Sequence, residues 1–253
     1  MTIIRAMALQ SRIEWTESTW NPITGCTHVS NGCDHCYAER LALRLQAMGN
    51  HRYKNGFAPT VHEDLIEAPL TWKAPRLIFV NSMSDLFHES VPRDVVRQVF
   101  QTMNAASWHT FQILTKRPFE FVKIAGELQW TPNIWMGVTV ESGRYVHRID
   151  ALRHVNAKVR FVSFEPLLSS IPEGTSLAGI DWAIIGGESG PGARPMEMEW
   201  VTGLKALCDA QGVKFFFKQW GGINKKRSGR LLQGRTWDDL PSRGVVRAPV
   251  ATE

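Results

Sequence analysis

Three cysteines near the start of the chain have a spacing that suits metal binding. They are Cys26, Cys33 and Cys36, in a C-x6-C-x2-C run of eleven residues. Thiolate ligands select zinc or iron–sulfur centres. A fourth protein ligand completes a structural zinc site, whereas a catalytic centre keeps one coordination position open. His28 and His35 lie inside the run, so a structural Cys3His zinc site remains an alternative to iron–sulfur.

The chain around these cysteines alternates between short apolar runs and helical patterns. The pattern predicts an entry strand within residues 13–25 and an irregular loop or lid over residues 50–75. Further strands are predicted at residues 77–80, 110–114, 134–138, 159–162, 182–185 and 213–217. Helices are predicted over residues 37–48, 92–106, 119–126, 144–155 and 197–211.

This alternation predicts an α/β fold with a parallel sheet whose outer face is covered by helices. About seven βα units, in a chain of 253 residues, fit a full or partial TIM-type (β/α) barrel. A doubly wound sheet is the alternative that periodicity alone leaves open. Residues 1–222 are predicted to form one barrel domain, and residues 223–253 a basic C-terminal extension.

Polar residues follow almost every predicted strand at its C-terminal end. In barrel enzymes this face of the sheet builds the active site. Seven strand ends of this kind therefore predict one shared site rather than ordinary polar loops. The strand-end residues are Cys26, Asn81, Ser82, Asp85, Thr115, Lys116, Thr139, Glu141, Ser163, Glu165, Gly186, Gly187, Glu188, Lys218 and Gln219.

The bulk composition is that of a globular protein with a sizeable core. Apolar residues make up 43% and charged residues 21%, and a net charge of +5 favours an anionic partner. The ten tryptophans are expected to serve packing rather than base stacking. No apolar run is long enough to span a membrane, and residues 1–12 lack the pattern of a signal peptide. Four cysteines, three of them clustered, do not indicate a disulfide framework, so a cytoplasmic location is expected. Cys208, outside the cluster, is expected to be a buried apolar residue.

The segment around the cysteines resembles a phage and bacterial three-cysteine-motif family of radical-SAM-like proteins (SAM, S-adenosylmethionine). That family's motif is W-N-P-x-T-G-C-x6-C-x2-C-Y-A, and this chain has it from Trp20 to Ala38. The resemblance continues over nearly the whole chain, in segments 81–87, 114–118, 164–167, 186–190, 217–221 and 229–237. A more distant resemblance is to spore photoproduct lyase-type radical SAM enzymes, which act on damaged DNA.

The resemblance implies a [4Fe–4S] cluster on the three cysteines, with one iron open to chelate SAM. It also implies an external electron donor, reductive cleavage of SAM and abstraction of hydrogen from a substrate. No catalytic acid or base is assigned, because hydrogen abstraction by a radical needs none. One departure is the first gap of the motif, which has six residues here where the commonest radical SAM motif has three.

By the same resemblance, twelve residues are expected to bind the cofactor. Asn81, Ser82 and Asp85 match the position that binds the SAM amino group, and Lys116 is a candidate for its carboxylate. Hydroxyls of the ribose need both donors and acceptors, which the ends of later strands supply. The expected set is Tyr37, Asn81, Ser82, Asp85, Lys116, Thr139, Glu141, Ser163, Glu165, Gly186, Gly187 and Glu188.

The extension at residues 223–235 carries five basic residues and no acidic ones, a pattern typical both of a solvated tail and of a segment that contacts phosphates. The second interpretation and the distant resemblance to spore photoproduct lyase together imply a nucleic acid or nucleotide as substrate, and a partner protein is a further expectation. Candidate substrate contacts are Arg117, Arg194, Lys218, Gln219, Lys225, Lys226 and Arg227. The competing hypothesis is a zinc-stabilised nucleic-acid-binding protein without catalytic activity.

Overall fold

The computed structural model of the chain describes residue 11 and residues 13–243. The prediction about a signal peptide in residues 1–12 falls almost wholly outside this range. The last part of the basic extension, residues 244–253, also lies outside the described residues, as do the side chains of Lys225 and Lys226.

Seven strands form one parallel sheet, and their order across the sheet follows their order along the chain. The sheet curls into a half-barrel, which confirms the prediction of a partial TIM-type fold. Every neighbouring pair in this sheet is parallel, so all seven carboxyl ends meet along one rim. The strands are β1 (Ser18–Trp20), β4 (Leu77–Val80), β5 (Thr110–Thr115), β6 (Ile134–Thr139), β7 (Val159–Phe164), β8 (Trp182–Gly186) and β9 (Lys214–Gln219).

Helices alternate with these strands and cover the outer face of the sheet. In the third helix Val96, Val99, Phe100 and Met103 are buried, at the spacing of one helical face. They join the larger hydrophobic core between helices and sheet, which also contains Cys208, as expected. The helices are α1 (Tyr37–Ala47), α2 (Glu63–Ile66), α3 (Arg93–Ala105), α4 (Pro118–Ala125), α5 (His147–Arg153), α6 (Met198–Ala210) and α7 (Lys225–Ser228).

A second hydrophobic core fills the concave inner face of the half-barrel. Trp15, Phe79, Trp135, Phe161 and Trp182 pack there, in contact through their rings. Side chains of a strand point alternately to its two faces, so the strands supply both cores at once. The buried tryptophans confirm the expectation that this residue type serves packing.

Along several strands the inward-facing positions change from apolar to polar towards the carboxyl end. Two residues beyond Phe161 comes Ser163, and two beyond Phe216 comes Lys218. The lower half of the concave face is therefore a packed core. Its upper half is a polar cavity, and this change of residue type along each strand determines where the site lies.

Two expectations about local structure are wrong. Residues 50–75 are not wholly irregular, because β3 (Thr60–Val61) pairs with β2 (Ile23–Thr24) in an antiparallel ladder and α2 follows directly. The helix expected over residues 144–155 begins only at His147, because Gly143–Tyr145 forms a separate 3-10 turn. Two-residue strands and single turns are too short to leave a periodic pattern.

Within the described residues, no helix has the length and apolar character needed to cross a membrane.

Candidate functional site

A cavity of about 450 Å³ opens at the carboxyl rim of the half-barrel. This volume lies in the range of small-molecule and cofactor sites. Ile13, Trp15, Phe79 and Leu114 form its apolar floor. Its polar walls come from the cysteine segment and the strand ends: Cys26, Cys33, Cys36, Tyr37, Asn81, Ser82, Asp85, Thr115, Lys116, Arg117, Thr139, Ser163, Glu165, Gly187, Glu188, Lys218 and Gln219.

The three cysteines lie in the wall of this one cavity, each half-buried and without a disulfide. Cys26 follows β2, Cys33 ends a 3-10 turn and Cys36 precedes the first residue of α1. Burial raises the pKa of the Cys26 thiol to about 11, and the charge of Asp85 acts in the same direction. Among the described residues, no three Cys, His, Asp or Glu side chains are gathered as ready metal ligands. The ligand role of the cysteines therefore stays a prediction.

Both histidines of the cysteine run bind carboxylates. His28 Nε2 lies 2.9 Å from Glu39 Oε2, and His35 Nδ1 lies 2.9 Å from Glu188 Oε2. The His35 ring also packs against Gly192, at whose position a Cβ would come within 3.2 Å of Nε2. The Cys3His alternative would need one of these rings to turn away from its present partners.

Glu188 connects the cysteine run to the loop after β8. It accepts hydrogen bonds from the backbone nitrogen and the guanidinium of Arg194, at 2.6–2.9 Å, besides its contact with His35. Arg194 Nη2 also donates to the carbonyl oxygen of Asn31, at 2.8 Å. Burial alone would raise the pKa of Glu188, but the hydrogen bonds from Arg194 and His35 outweigh it and lower this pKa to about 2.

This lowered pKa predicts a dependence of stability on pH. Because the folded pKa lies below the ordinary 4.5, Glu188 stabilises the fold fully above about pH 4.5. The contribution is lost progressively as pH falls towards 2. We expect Glu188→Gln to lower the free energy of unfolding at pH 7 by on the order of 1–2 kcal/mol, after allowance for solvent screening. Urea unfolding of both proteins at pH 7 and pH 3 measures this, and an undiminished difference at pH 3 would contradict it.

A buried group of charges lies under the cysteine run. Glu141 is fully buried and accepts from Lys116 Nζ at 3.0 Å, Arg148 Nη1 at 2.8 Å and Ser30 Oγ at 2.6 Å. Burial would raise the pKa of Glu141, but the charges of Lys116 and Arg148 outweigh this and lower it. Gly32 lies directly on this carboxylate, since a Cβ at its position would come within 2.5 Å of Glu141. The arrangement supports the cysteine run from below.

The ends of β4 and β5 are fixed to each other through Asp85. This buried carboxylate accepts from Thr115 Oγ1 at 2.8 Å and from the backbone nitrogen of Lys116 at 3.0 Å. Ser82 donates to Asn21 Oδ1 at 3.2 Å, and the Tyr37 hydroxyl donates to the carbonyl of Ser82 at 2.5 Å. Both strand ends are thus held by contacts within the protein.

Three buried side chains in the cavity wall, and Trp15 in its floor, have polar atoms without a partner among the described residues. The atoms are both amide atoms of Asn81, the hydroxyl of Ser163, Oε1 of Gln219 and Nε1 of Trp15. Asn81 also has a φ of 59°, a backbone conformation that residues other than glycine adopt infrequently. Buried polar groups are nearly always hydrogen-bonded, so four residues with such exceptions around one cavity favour a polar ligand there.

Glu165 and Lys218, at the ends of β7 and β9, have partners, as does the amide nitrogen of Gln219. Glu165 forms an ion pair with Lys218 across the cavity wall. Gln219 Nε2 donates to Ser189 Oγ at 2.6 Å. Gly187 fits where a side chain would not, because a Cβ there would lie 2.1 Å from the carbonyl oxygen of Trp220.

The structure brings most of the predicted site residues into one cavity, but not all of them. Glu141, Gly186 and Arg194 are not in its lining: the first supports the cysteine run, the second packs against Glu165 and the third binds Glu188. Arg227 is exposed outside the lining, in the C-terminal extension. The roles assigned to these residues and to the lining residues remain predictions.

Sequence reasoning missed Ser30, Glu89 and Arg148. Arg148 is 3% exposed and also donates to the carbonyl oxygen of Thr139 at 2.8 Å. A signal for it was present in the sequence. Arg148 shares a helical face with the buried apolar residues Ile149 and Leu152, and a cation there needs a buried partner.

Comparisons with known proteins agree with this architecture. A family profile described as "Protein of unknown function (DUF5131)" matches residues 10–241. No curated protein matches the chain. Among solved structures, the chain is similar to "Spore photoproduct lyase complexed with dinucleoside spore photoproduct", with 12% identity and a TM-score of 0.51. The match covers 81% of this chain and 64% of that one, and at this identity it shows a common fold only.

Proposed function

We propose that this chain, which belongs to the DUF5131 family of proteins of unknown function, is a radical SAM enzyme. It would hold a [4Fe–4S] cluster and SAM in the cavity at the carboxyl rim. One observation carries this proposal. Three cysteines with no disulfide and four buried side chains with unpartnered polar atoms line the same cavity.

The donor set of the cavity fits an iron–sulfur centre. Cys26, Cys33 and Cys36 line the cavity and would supply three thiolates, the ligand type that such clusters use. Three protein ligands would leave one position of the cluster for a substrate or cofactor. When bound, the cluster and SAM would supply a 5′-deoxyadenosyl radical by reductive cleavage, which is the chemistry that amino-acid side chains cannot perform.

The residues of this chain would bind and orient the cofactor and exclude water from it. Asn81, Ser163 and Gln219 offer donors and acceptors that have no other partner, which suits the amino, carboxylate and hydroxyl groups of SAM. The apolar floor of the cavity, including Trp15 and Phe79, would keep water from the reacting atoms. Lys116 already donates to Glu141, Gly32 and Cys33, so a contact to the SAM carboxylate would replace one of these.

A nucleic acid or nucleotide is the substrate class we propose. The similar solved structure is described with a dinucleoside spore photoproduct bound, which supports this class by analogy of fold. Part of the basic extension has other partners: Arg230 pairs with Asp238, and Arg235 lies 3.5 Å above the ring of Trp237. Arg227 and Arg235 are both exposed in this segment. Because Arg235 already lies over the Trp237 ring, Arg227 is the one proposed to meet phosphate.

Anaerobic reconstitution of the full chain with iron and sulfide tests the proposal. We expect about four irons per chain, an EPR signal of the reduced cluster that changes on addition of SAM, and release of 5′-deoxyadenosine. Stoichiometric tight zinc with no uptake of iron would reject the enzyme and favour the zinc-stabilised nucleic-acid-binding protein. A cluster without deoxyadenosine would limit the protein to binding SAM. The electron donor and any partner protein remain predictions.

Ser163→Ala is expected to change stability and SAM binding in opposite directions. The Ser163 hydroxyl is buried without a partner, so its removal should stabilise the fold by about 1 kcal/mol. The same change removes a group proposed to bind SAM and should weaken SAM binding by roughly three- to tenfold. Urea unfolding and calorimetric titration of the reconstituted protein measure the two effects.

Thr102→Ala, which removes a buried hydroxyl on α3 outside the cavity lining, is the control for SAM binding. A loss of stability with unchanged affinity would contradict the assignment.

A further inference from the structure

Two of the three cysteine sulfurs receive a hydrogen bond from a cation. Arg117 Nη1 donates to Cys26 Sγ at 3.5 Å, and Lys116 Nζ donates to Cys33 Sγ at 3.9 Å. Lys116 and Arg117 are neighbours in sequence and directly follow β5. The end of one strand therefore supplies a separate cation to each of two cysteines.

Both cations are held in place by contacts on their other sides. Arg117 is 5% exposed, and it donates to Glu89 Oε2 at 2.9 Å and to the Thr27 hydroxyl at 2.7 Å. Lys116 donates to the carbonyl oxygen of Gly32 at 3.2 Å and to Glu141 at 3.0 Å. Each cation thus has several partners that hold its position, so the contacts with sulfur belong to a connected hydrogen-bond network.

The charges around the cysteines are balanced before any metal binds. The cations Lys116, Arg117 and Arg148 face the carboxylates Asp85, Glu89 and Glu141. The two cations therefore act on the sulfurs mainly through the hydrogen bonds that their N–H groups donate at short range. Hydrogen bonds to the sulfurs are one of the means by which a protein sets the reduction potential of an iron–sulfur cluster. Such bonds favour the reduced state, because reduction adds negative charge to the cluster and its ligands.

We infer that Lys116 and Arg117 are positioning residues that raise the reduction potential of a cluster held by Cys26, Cys33 and Cys36. The inference rests on the proposed function. Neither residue needs to touch SAM or substrate for this role. A cluster tuned in this way takes its electron from a weaker reductant than it otherwise would.

The test is an EPR-monitored redox titration of the reconstituted full chain without SAM. Arg117→Gln and Lys116→Gln remove the charge and one donor each, and Lys123→Gln is the control. Lys123 lies on α4 and pairs with the exposed Glu120. Its replacement by glutamine changes the net charge by the same amount as the two test variants. At the midpoint potential of the wild type, we expect each of the two variants to have a ratio of reduced to oxidised cluster about tenfold lower. This corresponds to a shift of about 59 mV for a one-electron couple. The control should match the wild type.

Changes in folding are separated from tuning by conservative variants. Arg117→Lys and Lys116→Arg keep the charge and should recover part of the shift if the cation acts on the sulfur. A ratio within threefold of wild type in both glutamine variants, with the cluster fully loaded, would overturn the inference and leave the proposed function standing. A wild-type chain that takes up no iron would overturn both.

Discussion

Replacing Cys33 with alanine is expected to reduce the iron content of the reconstituted protein to roughly a tenth of wild type or less and to abolish release of 5′-deoxyadenosine. Cys33 is one of three thiols in the cavity wall, and two thiolates alone hold an iron–sulfur cluster poorly. The same result is expected for Cys26→Ala and Cys36→Ala. Iron and sulfide analysis, the visible absorption of the cluster and product assay measure the effect.

Cys208→Ala is the matched control for these variants. Cys208 is the fourth cysteine of the chain, fully buried on α6 in the outer core and distant from the cavity lining. The substitution Cys208→Ala should lower the free energy of unfolding by about 1 kcal/mol, because the buried sulfur is lost, and it should leave the iron content unchanged. If a variant of one motif cysteine loads iron as well as Cys208→Ala does, the proposal of a three-cysteine cluster is wrong.

The location of the site followed from the sequence, because parallel strands place all their carboxyl ends on one rim. Asn81, Lys116, Ser163 and Lys218 each directly follow or end an apolar run, and the structure brings all four into the cavity lining. The seven strands were predictable for the same reason, since each is a short apolar run between helical patterns. Local pattern and overall topology agree in this chain.

The partners of these residues were not predictable, because they depend on long-range packing. Thr139 and Glu141 are only two residues apart, yet the first lines the cavity and the second is buried beneath Gly32. Arg194 was expected to contact substrate, and the structure pairs it with Glu188 and the cysteine run. A sequence shows which side chains carry charge, but the choice among several partners of opposite charge is made by the fold.

Glu141→Ala is expected to destabilise the protein by about 3–5 kcal/mol. The change removes the carboxylate that half-buried Lys116 and buried Arg148 share, and an unpaired buried charge such as that of Arg148 carries the full cost of desolvation. It also removes the partner of Ser30 and the surface on which Gly32 lies. We therefore expect the loaded variant to lose iron to a chelator several-fold faster than wild type. Urea unfolding and the rate of iron release measure the two effects.

Glu127→Ala provides the comparison that separates burial from ion pairing in general. Glu127 also binds two cations, Arg93 and Arg97, but on the exposed surface beside α3. Exposed ion pairs contribute little, so this variant should lose about 1 kcal/mol or less of stability and retain iron as wild type does.

Replacing Lys116, Glu141 and Arg148 together with methionine should recover most of the stability lost in Glu141→Ala, because no buried charge is left unpaired. It should not restore iron retention, since Gly32 and Cys33 lose their contacts with Lys116. Equal destabilisation by Glu127→Ala and Glu141→Ala would show that the buried group does not support the cysteine run in this way.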